Sequence, residues 1–105
     1  MSITIGRYNA EGPYTSSDDL REAPGVYVIV TRNGVSQSWT VLDVGESHAL
    51  RTRVANHDRS DCWNRNNKGT LAVAAIYENA LMIGAGRFEV EQELRAQFAP
   101  TCGER

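Results

Sequence analysis

Three stretches of the chain carry the apolar patterns of β-strands. Residues 26–31 are rich in β-branched side chains and follow Pro24-Gly25, and residues 38–44 form a second run. Asn33-Gly34 between these two runs predicts a hairpin, because both residues tolerate positive φ angles. Residues 71–77 form a continuous apolar run, which is typical of a strand in the middle of a sheet.

Helical patterns lie between and after these strands. In residues 47–57, four side chains at i, i+3, i+4 and i+7 share one face, namely Leu50, Arg53, Val54 and His57. Ser47 is predicted to cap this helix by accepting a hydrogen bond from a free backbone N–H of the first turn. Residues 61–63 predict the start of a short second helix, and residues 78–86 predict a loop or turn.

The last helix is predicted over residues 87–99 and ends at Pro100. Its apolar stripe repeats at i, i+4 and i+8 and consists of Val90, Leu94 and Phe98. At about 100° of rotation per residue, Glu91 lies closest to this stripe among the glutamates of the helix. Glu91 is therefore the carboxylate that we expect to reach a site beside the sheet.

The N-terminal segment, residues 1–23, is mixed and polar, with Gly12-Pro13 as a breaker. Ile3 and Ile5 alternate with polar residues and predict a short edge strand. We expect this segment to be an extension that packs on the sheet of a domain formed by residues 24–105. The predicted fold is α+β, with a small mixed or antiparallel three-stranded sheet in the order β-β-α-β-α, flanked by helices.

Composition places the chain among soluble globular proteins. Its 105 residues fit one small domain, and 41% hydrophobic and 23% charged residues are ordinary values for that class. No apolar run has the length of a membrane span, and the N-terminus lacks a signal-peptide pattern. We therefore expect a cytoplasmic protein with no membrane partner. Cys62 and Cys102 are accordingly predicted to be free thiols.

The net charge of −2 is unusual for a protein that holds nucleic acid by itself, because phosphate binding draws on a surplus of positive charge. A local basic cluster nevertheless exists, made of Arg51, Arg53, Arg59, Arg65 and Lys68. A nucleic-acid ligand would therefore require this cluster together with a partner protein or self-association.

The length of the hairpin loop decides whether two candidate site residues, Tyr27 and Asp43, lie on the same face of the sheet. A two-residue turn at Asn33-Gly34 would place Tyr27 and Asp43 on opposite faces of the sheet. A loop with an odd number of residues, or one bulge, would place both side chains on the same face. A shared site for the two residues therefore predicts such an irregularity in the hairpin.

An ordered set of short motifs runs through residues 24–103. Gly25-Val26-Tyr27 follows Pro24, and Asp43-Val44-Gly45 precedes Leu50 by a short turn. The remaining members are Arg53, eight residues after Gly45, His57, four residues further, and Glu91, which precedes Leu94 by three and Pro100 by nine residues. In order and spacing this set resembles the GIY-YIG nuclease family. Asp43 takes the place of the tyrosine of the second family motif, Gly103 takes the place of an asparagine, and the hairpin is longer than in compact members.

The resemblance implies a metal-dependent endonuclease that hydrolyses phosphodiester bonds in nucleic acid, DNA rather than RNA. Tyr27 would act as the base or orient the attacking water, Arg53 would hold the scissile phosphate, and His57 would donate to a phosphate or leaving oxygen. Glu91 would bind a single Mg²⁺ or Mn²⁺ ion through oxygen. Asp43 is a further candidate catalytic residue, and the candidate substrate-binding residues are Gly45, Arg51 and Arg59.

Structural alternatives remain open for several of these residues. Asp43 would supply a second carboxylate to the metal, repel a phosphate, or bond backbone N–H groups as a turn aspartate. Arg53 would otherwise pair with Asp58 or Glu46, and Trp63 would be either a stacking platform for an unpaired base or a core residue. The alternative function is a catalytically degenerate GIY-YIG-like module that acts as a binding or structural protein.

Overall fold

A single antiparallel sheet and three helices form the fold of the computed structural model, which describes residues 1–80 and 86–103. The strands are β1 (Ser2–Ile5), β2 (Tyr8–Tyr14), β3 (Gly25–Arg32), β4 (Thr40–Ser47) and β5 (Thr70–Tyr77), and the helices are α1 (Leu50–Ala55), α2 (Ser60–Arg65) and α3 (Arg87–Phe98). Short 3-10 turns cover Ser17–Asp19 and Glu78–Ala80. Over this described part of the chain, no helix has the length and apolar character needed to cross a membrane.

The predicted α+β class is confirmed, but the prediction of three strands is wrong, because the sheet has five in the order β1-β2-β5-β3-β4. The edge strand predicted from Ile3 and Ile5 is β1. The missed strand, β2, contains Gly12-Pro13 and pairs with β5 through a register shift between Glu11 and Tyr14. A proline without a backbone N–H is tolerated at such an irregularity, so the dipeptide shifts the pairing register of the strand without ending it.

The sheet is covered on both faces, because β3 alternates its side chains between two cores. Val26, Val28 and Val30 pack on the side that holds Val90 and Leu94 of α3. Tyr27 and Ile29 point to the opposite side, where α1 and α2 contribute a second core with Leu50, Val54 and Trp63. The chemistry-bearing residues of β3 and α1 therefore share one face, while the apolar stripe of α3 lies on the other.

The hairpin of β3 and β4 contains the predicted irregularity. Tyr27 pairs with Gly45 and Ile29 pairs with Asp43, but Val30 pairs with Val41, so Leu42 is an extra residue in β4. The predicted bulge is thus confirmed, although it lies within β4 and not beside the Asn33-Gly34 turn. Its consequence is that Tyr27 and Asp43 point to the same face of the sheet.

The helix after β4 is shorter than the pattern predicted. Ser47 belongs to β4, and its hydroxyl accepts the N–H of Ala49 at 3.0 Å, but α1 begins at Leu50 without a side-chain cap. The predicted Ser47 cap is therefore wrong. His57 lies beyond the helix end, since Asn56 is the C-cap residue. The second and third helices are confirmed, and residues 81–85 of the predicted loop lie outside the described residues.

A disulfide joins Cys62 in α2 to Cys102 near the C-terminus, so the prediction of two free thiols is wrong. The two cysteines are 40 residues apart in the chain and meet because the segment after α3 folds back against β4. The Cys102 N–H donates to the Leu42 carbonyl at 2.8 Å in this return. The disulfide therefore attaches the C-terminal segment to the face that holds Tyr27 and Asp43.

Removing this crosslink is expected to lower the free energy of unfolding. A bond that closes a 40-residue loop restricts the unfolded chain by about 4 kcal/mol of conformational entropy, and native disulfides of this kind typically contribute about 2–4 kcal/mol. Urea unfolding of the wild type with and without a dithiol reductant measures the loss. The Cys62→Ser/Cys102→Ser double variant is the control, because the reductant should not change its midpoint. A fully reduced wild type with an unshifted midpoint would contradict this expectation.

Candidate functional site

Asp43 is fully buried on the same face of the sheet as Tyr27. Its carboxylate accepts hydrogen bonds from four residues. Its Oδ2 accepts Nε of Arg59 and Nε1 of Trp63, each at 2.8 Å. Its Oδ1 accepts Nη2 of Arg95 at 2.9 Å and the N–H of Val44 at 2.8 Å, with Nη2 of Arg59 at 3.3 Å. Two guanidinium groups and an indole thus compensate one buried carboxylate, as a charge without solvent requires.

Gly103 closes this cluster from the C-terminal side. A Cβ atom at Gly103 would lie 2.7 Å from Oδ1 of Asp43 and 2.8 Å from Nη2 of Arg95. Its φ of +91° is also a conformation that side-chain-bearing residues rarely adopt. An asparagine, which the family pattern has at this position, would therefore collide with the ion-pair cluster. The disulfide at Cys102 holds the glycine in place.

Tyr27 lies beside the Asp43 cluster, with only 1% of its surface exposed. Its hydroxyl is hydrogen-bonded to Nε2 of His57 and accepts a longer bond from Nη2 of Arg59 at 3.4 Å. The ring packs directly over Gly45, where a Cβ atom would overlap the hydroxyl. The absence of a side chain at Gly45 therefore leaves the space that the Tyr27 ring occupies.

His57 is held as the neutral ring with its proton on Nε2. Its Nδ1 accepts the backbone N–H of Arg59 at 3.0 Å, so Nδ1 cannot carry the proton, and Nε2–H donates to Tyr27. Burial, reinforced by the charges of Arg53 and Arg59, lowers the pKa of His57 to about 4. Asp58, whose Oδ1 is 3.3 Å from Nδ1, would pair only with the protonated ring.

Burial, together with the nearby charge of Asp43, raises the pKa of Tyr27 to about 12. The charges of Arg59 and Arg53 act in the opposite direction but do not offset the burial. The phenol therefore keeps its proton at neutral pH and does not act as a base in this arrangement.

The predicted arginines differ in how far solvent reaches them. The side chain of Arg53 is 40% exposed and lies 3.6 Å from Asp58, which is one of the alternatives left open by the sequence. The side chain of Arg59 is 28% exposed and joins Asp43 to the Tyr27 hydroxyl. Arg51 is exposed. Arg53 and Arg59 are thus the cationic groups that solvent reaches beside Tyr27 and His57.

Among the described residues, Arg95 is the side chain that connects Glu91 to the site. Its Oε2 lies 3.4 Å from Nε of Arg95, one helical turn further along α3, and Arg95 in turn contacts Asp43. The neighbouring residues Val90 and Leu94 pack on the opposite face of the sheet. Because β4 is the edge strand, the Arg95 side chain reaches Asp43 across that edge.

The residues present do not fit the divalent metal ion that the family resemblance implies. No group of three or more histidine, cysteine, aspartate or glutamate side chains is placed to share a metal ion within residues 1–80 and 86–103. The Glu91 carboxylate faces a guanidinium, and both oxygens of Asp43 are occupied by N–H donors. The expected Mg²⁺ or Mn²⁺ at Glu91 therefore stays a prediction without structural support.

The sequence did not predict Arg95 as a partner of Asp43, and it left the role of Trp63 open. Arg95 is missed, although its spacing of four residues from Glu91 puts both side chains on one helical face. Trp63 is 5% exposed and belongs to the core, and its indole N–H is used by Asp43. A buried aspartate in an apolar strand is the signal that such donors must exist elsewhere in the chain.

Comparison with known proteins finds no matching family model, no matching curated protein and no matching solved structure. The likeness to the GIY-YIG nucleases remains a resemblance in the motif residues and their spacings.

Substituting Asp43 by asparagine is expected to destabilise the fold by about 3 kcal/mol or more, because Arg95 would stay buried without its counter-charge. Arg95 is only 3% exposed, so solvent cannot replace the lost carboxylate. Asp58→Asn is the matched control, since that side chain is 79% exposed and should change stability by less than about 0.5 kcal/mol. Urea unfolding of both variants tests the difference, and an Asp43→Asn variant as stable as the control would contradict it.

The stability of the fold should fall between pH 6.5 and about pH 4 because of His57. In the unfolded chain this histidine takes up a proton near pH 6.5, whereas the folded ring resists protonation until about pH 4. The loss through this window is at most about 3 kcal/mol. Unfolding of wild type and His57→Gln at several pH values measures it, with His48→Gln, the same substitution at an exposed position, as the control. Parallel pH curves for wild type and His57→Gln would argue against the assignment.

Proposed function

We propose that this chain cleaves phosphodiester bonds in nucleic acid, DNA rather than RNA, at a site centred on the Tyr27 hydroxyl. The observation that carries the proposal is the position of this phenol, bonded to a neutral histidine and to an arginine on one face of the sheet. Tyr27, Gly45, Arg53 and His57, four residues of the motif set that resembles the GIY-YIG nucleases, lie in or beside this arrangement.

Arg53 and Arg59 would bind the scissile phosphate. Both are partly exposed, and both carry the planar donor geometry that matches phosphate oxygens. A phosphate would compete with Asp58 for Arg53, and that surface ion pair is weak enough to exchange. The exposed Arg51 would add a contact to a neighbouring phosphate.

Tyr27 would orient the attacking water or donate to a phosphate oxygen. Its oxygen accepts N–H groups from His57 and Arg59, which leaves its own O–H free to donate to a third partner. The raised pKa of the phenol favours this donor role at neutral pH. The positive charge for the phosphorane-like transition state would come from the two guanidinium groups.

A second candidate function is a nucleic-acid-binding module that does not cleave. It is favoured by the burial of Tyr27 and His57, since a substrate reaches their polar atoms only if the covering side chains move. The module would use the same arginines for phosphate binding. With a net charge of −2, either function would depend on a partner protein or on self-association for affinity. A cytoplasmic location also stays a proposal.

Nicking of supercoiled plasmid DNA tests the first proposal, with Mg²⁺, with Mn²⁺ and with EDTA in separate reactions. Arg53→Ala should reduce cleavage by about 100-fold or more, because it removes charge stabilisation from the transition state. Tyr27→Phe should reduce cleavage by a similar factor of about 100. Arg32→Ala is the matched control, since it removes an equal charge at the far end of β3 and should leave cleavage unchanged.

Fluorescence anisotropy with a labelled DNA duplex separates the two candidate functions. If the chain is a nuclease, Tyr27→Phe should keep DNA binding while it loses cleavage. If it is a binding module, neither wild type nor variant should cleave, and Arg53→Ala should weaken binding and lower the salt dependence. Absence of both cleavage and binding by the wild type at high protein excess would remove both functions for the isolated chain.

A further inference from the structure

We infer that Arg95 takes the cation position of this site, so that Asp43 and Glu91 are paired by an internal guanidinium and do not bind a divalent metal ion. The inference goes beyond the proposed function, because it concerns the charge balance of the cluster and holds whether or not the chain cleaves nucleic acid. It corrects the role that the family resemblance implies for Glu91.

The geometry places one guanidinium between two carboxylates. Nη2 of Arg95 donates to Oδ1 of Asp43 at 2.9 Å, and Nε of Arg95 lies 3.4 Å from Oε2 of Glu91. The Arg95 side chain is 3% exposed and the Glu91 side chain 15%. A buried guanidinium in this position cannot turn away to solvent without leaving Asp43 short of a counter-charge.

The charges of the cluster are already balanced. Asp43 and Glu91 contribute two negative charges, and Arg59 and Arg95 contribute two positive charges. A divalent cation beside Glu91 would therefore meet a guanidinium of like sign within a few ångströms. Metal binding would require that Arg95 leave first.

The oxygen ligands that Mg²⁺ or Mn²⁺ needs are also taken. A carboxylate has about four acceptor positions, and Asp43 uses its own for Arg59, Trp63, Arg95 and the Val44 N–H. Gly103 covers Oδ1 of Asp43 from outside, where even a Cβ atom would not fit. Mg²⁺ demands near-octahedral oxygen coordination, and one carboxylate shared with an arginine does not provide it.

Direct titration with Mn²⁺ tests the inference without any cleavage assay. The loss of the free-ion signal in electron paramagnetic resonance measures binding to the wild-type chain and to Glu91→Gln. The two titrations should coincide. Binding by the wild type that is at least tenfold tighter than binding by Glu91→Gln would overturn the inference.

Removing the guanidinium should create the metal site that it excludes. Arg95→Gln removes the positive charge that Asp43 and Glu91 share and frees one acceptor position on each carboxylate. We expect this variant to bind Mn²⁺ at least tenfold more tightly than the wild type. Arg95→Lys keeps a positive charge and should bind as weakly as the wild type. The gain should disappear in Arg95→Gln/Glu91→Gln, because the new site needs the glutamate.

Circular dichroism first establishes that each variant is folded. A folded Arg95→Gln chain that gains no Mn²⁺ binding would contradict the inference. If Arg95→Gln does not fold, the comparison of wild type with Glu91→Gln decides. If the wild type cleaves DNA, the cleavage should persist in EDTA. Absence of cleavage would count against the proposed function, but the Mn²⁺ titrations would still test the present inference.

Discussion

The buried Asp43 carboxylate is the constraint on which the rest of the structure depends. A negative charge without solvent is costly, and it persists only where several donors surround it. Here the donors come from different parts of the chain, namely Arg59 and Trp63 at the second helix and Arg95 on the third. One side chain of the edge strand thereby connects helices that pack on opposite faces of the sheet.

The same cluster sets the properties of the candidate site. Arg59 donates to Asp43 through its side chain, contacts the Tyr27 hydroxyl, and donates its backbone N–H to His57. The position of that backbone decides which ring nitrogen of His57 carries the proton. Stability and chemistry are therefore coupled, because a change at Asp43 would move the residue that orients both the histidine and the tyrosine.

Two positions at which the chain differs from the GIY-YIG motif set that it resembles lie side by side in the structure. An aspartate in place of the second-motif tyrosine supplies a buried negative charge, and Arg95 supplies a matching positive charge. Gly103 in place of asparagine leaves room for this pair, and the disulfide at Cys102 holds the glycine against it. These two differences, which are 60 residues apart along the chain, thus meet at one carboxylate.

The sequence by itself determined the local elements, because hydrophobic periodicity and turn residues act over a few positions. These elements are the strands that contain Tyr27 and Val73 and the helix that contains Val90. The sequence also showed that Tyr27 and Asp43 could share a face of the sheet only if the hairpin contained a bulge or an odd-length loop. Only the tertiary structure decided three further features. These are the strand β2, which continues across Gly12-Pro13, the disulfide, and the hydrogen-bond donors that surround Asp43. These features join residues that are far apart in sequence, and local pattern carries no information about such distances. A buried charge demands partners, but only the folded chain decides which residues provide them.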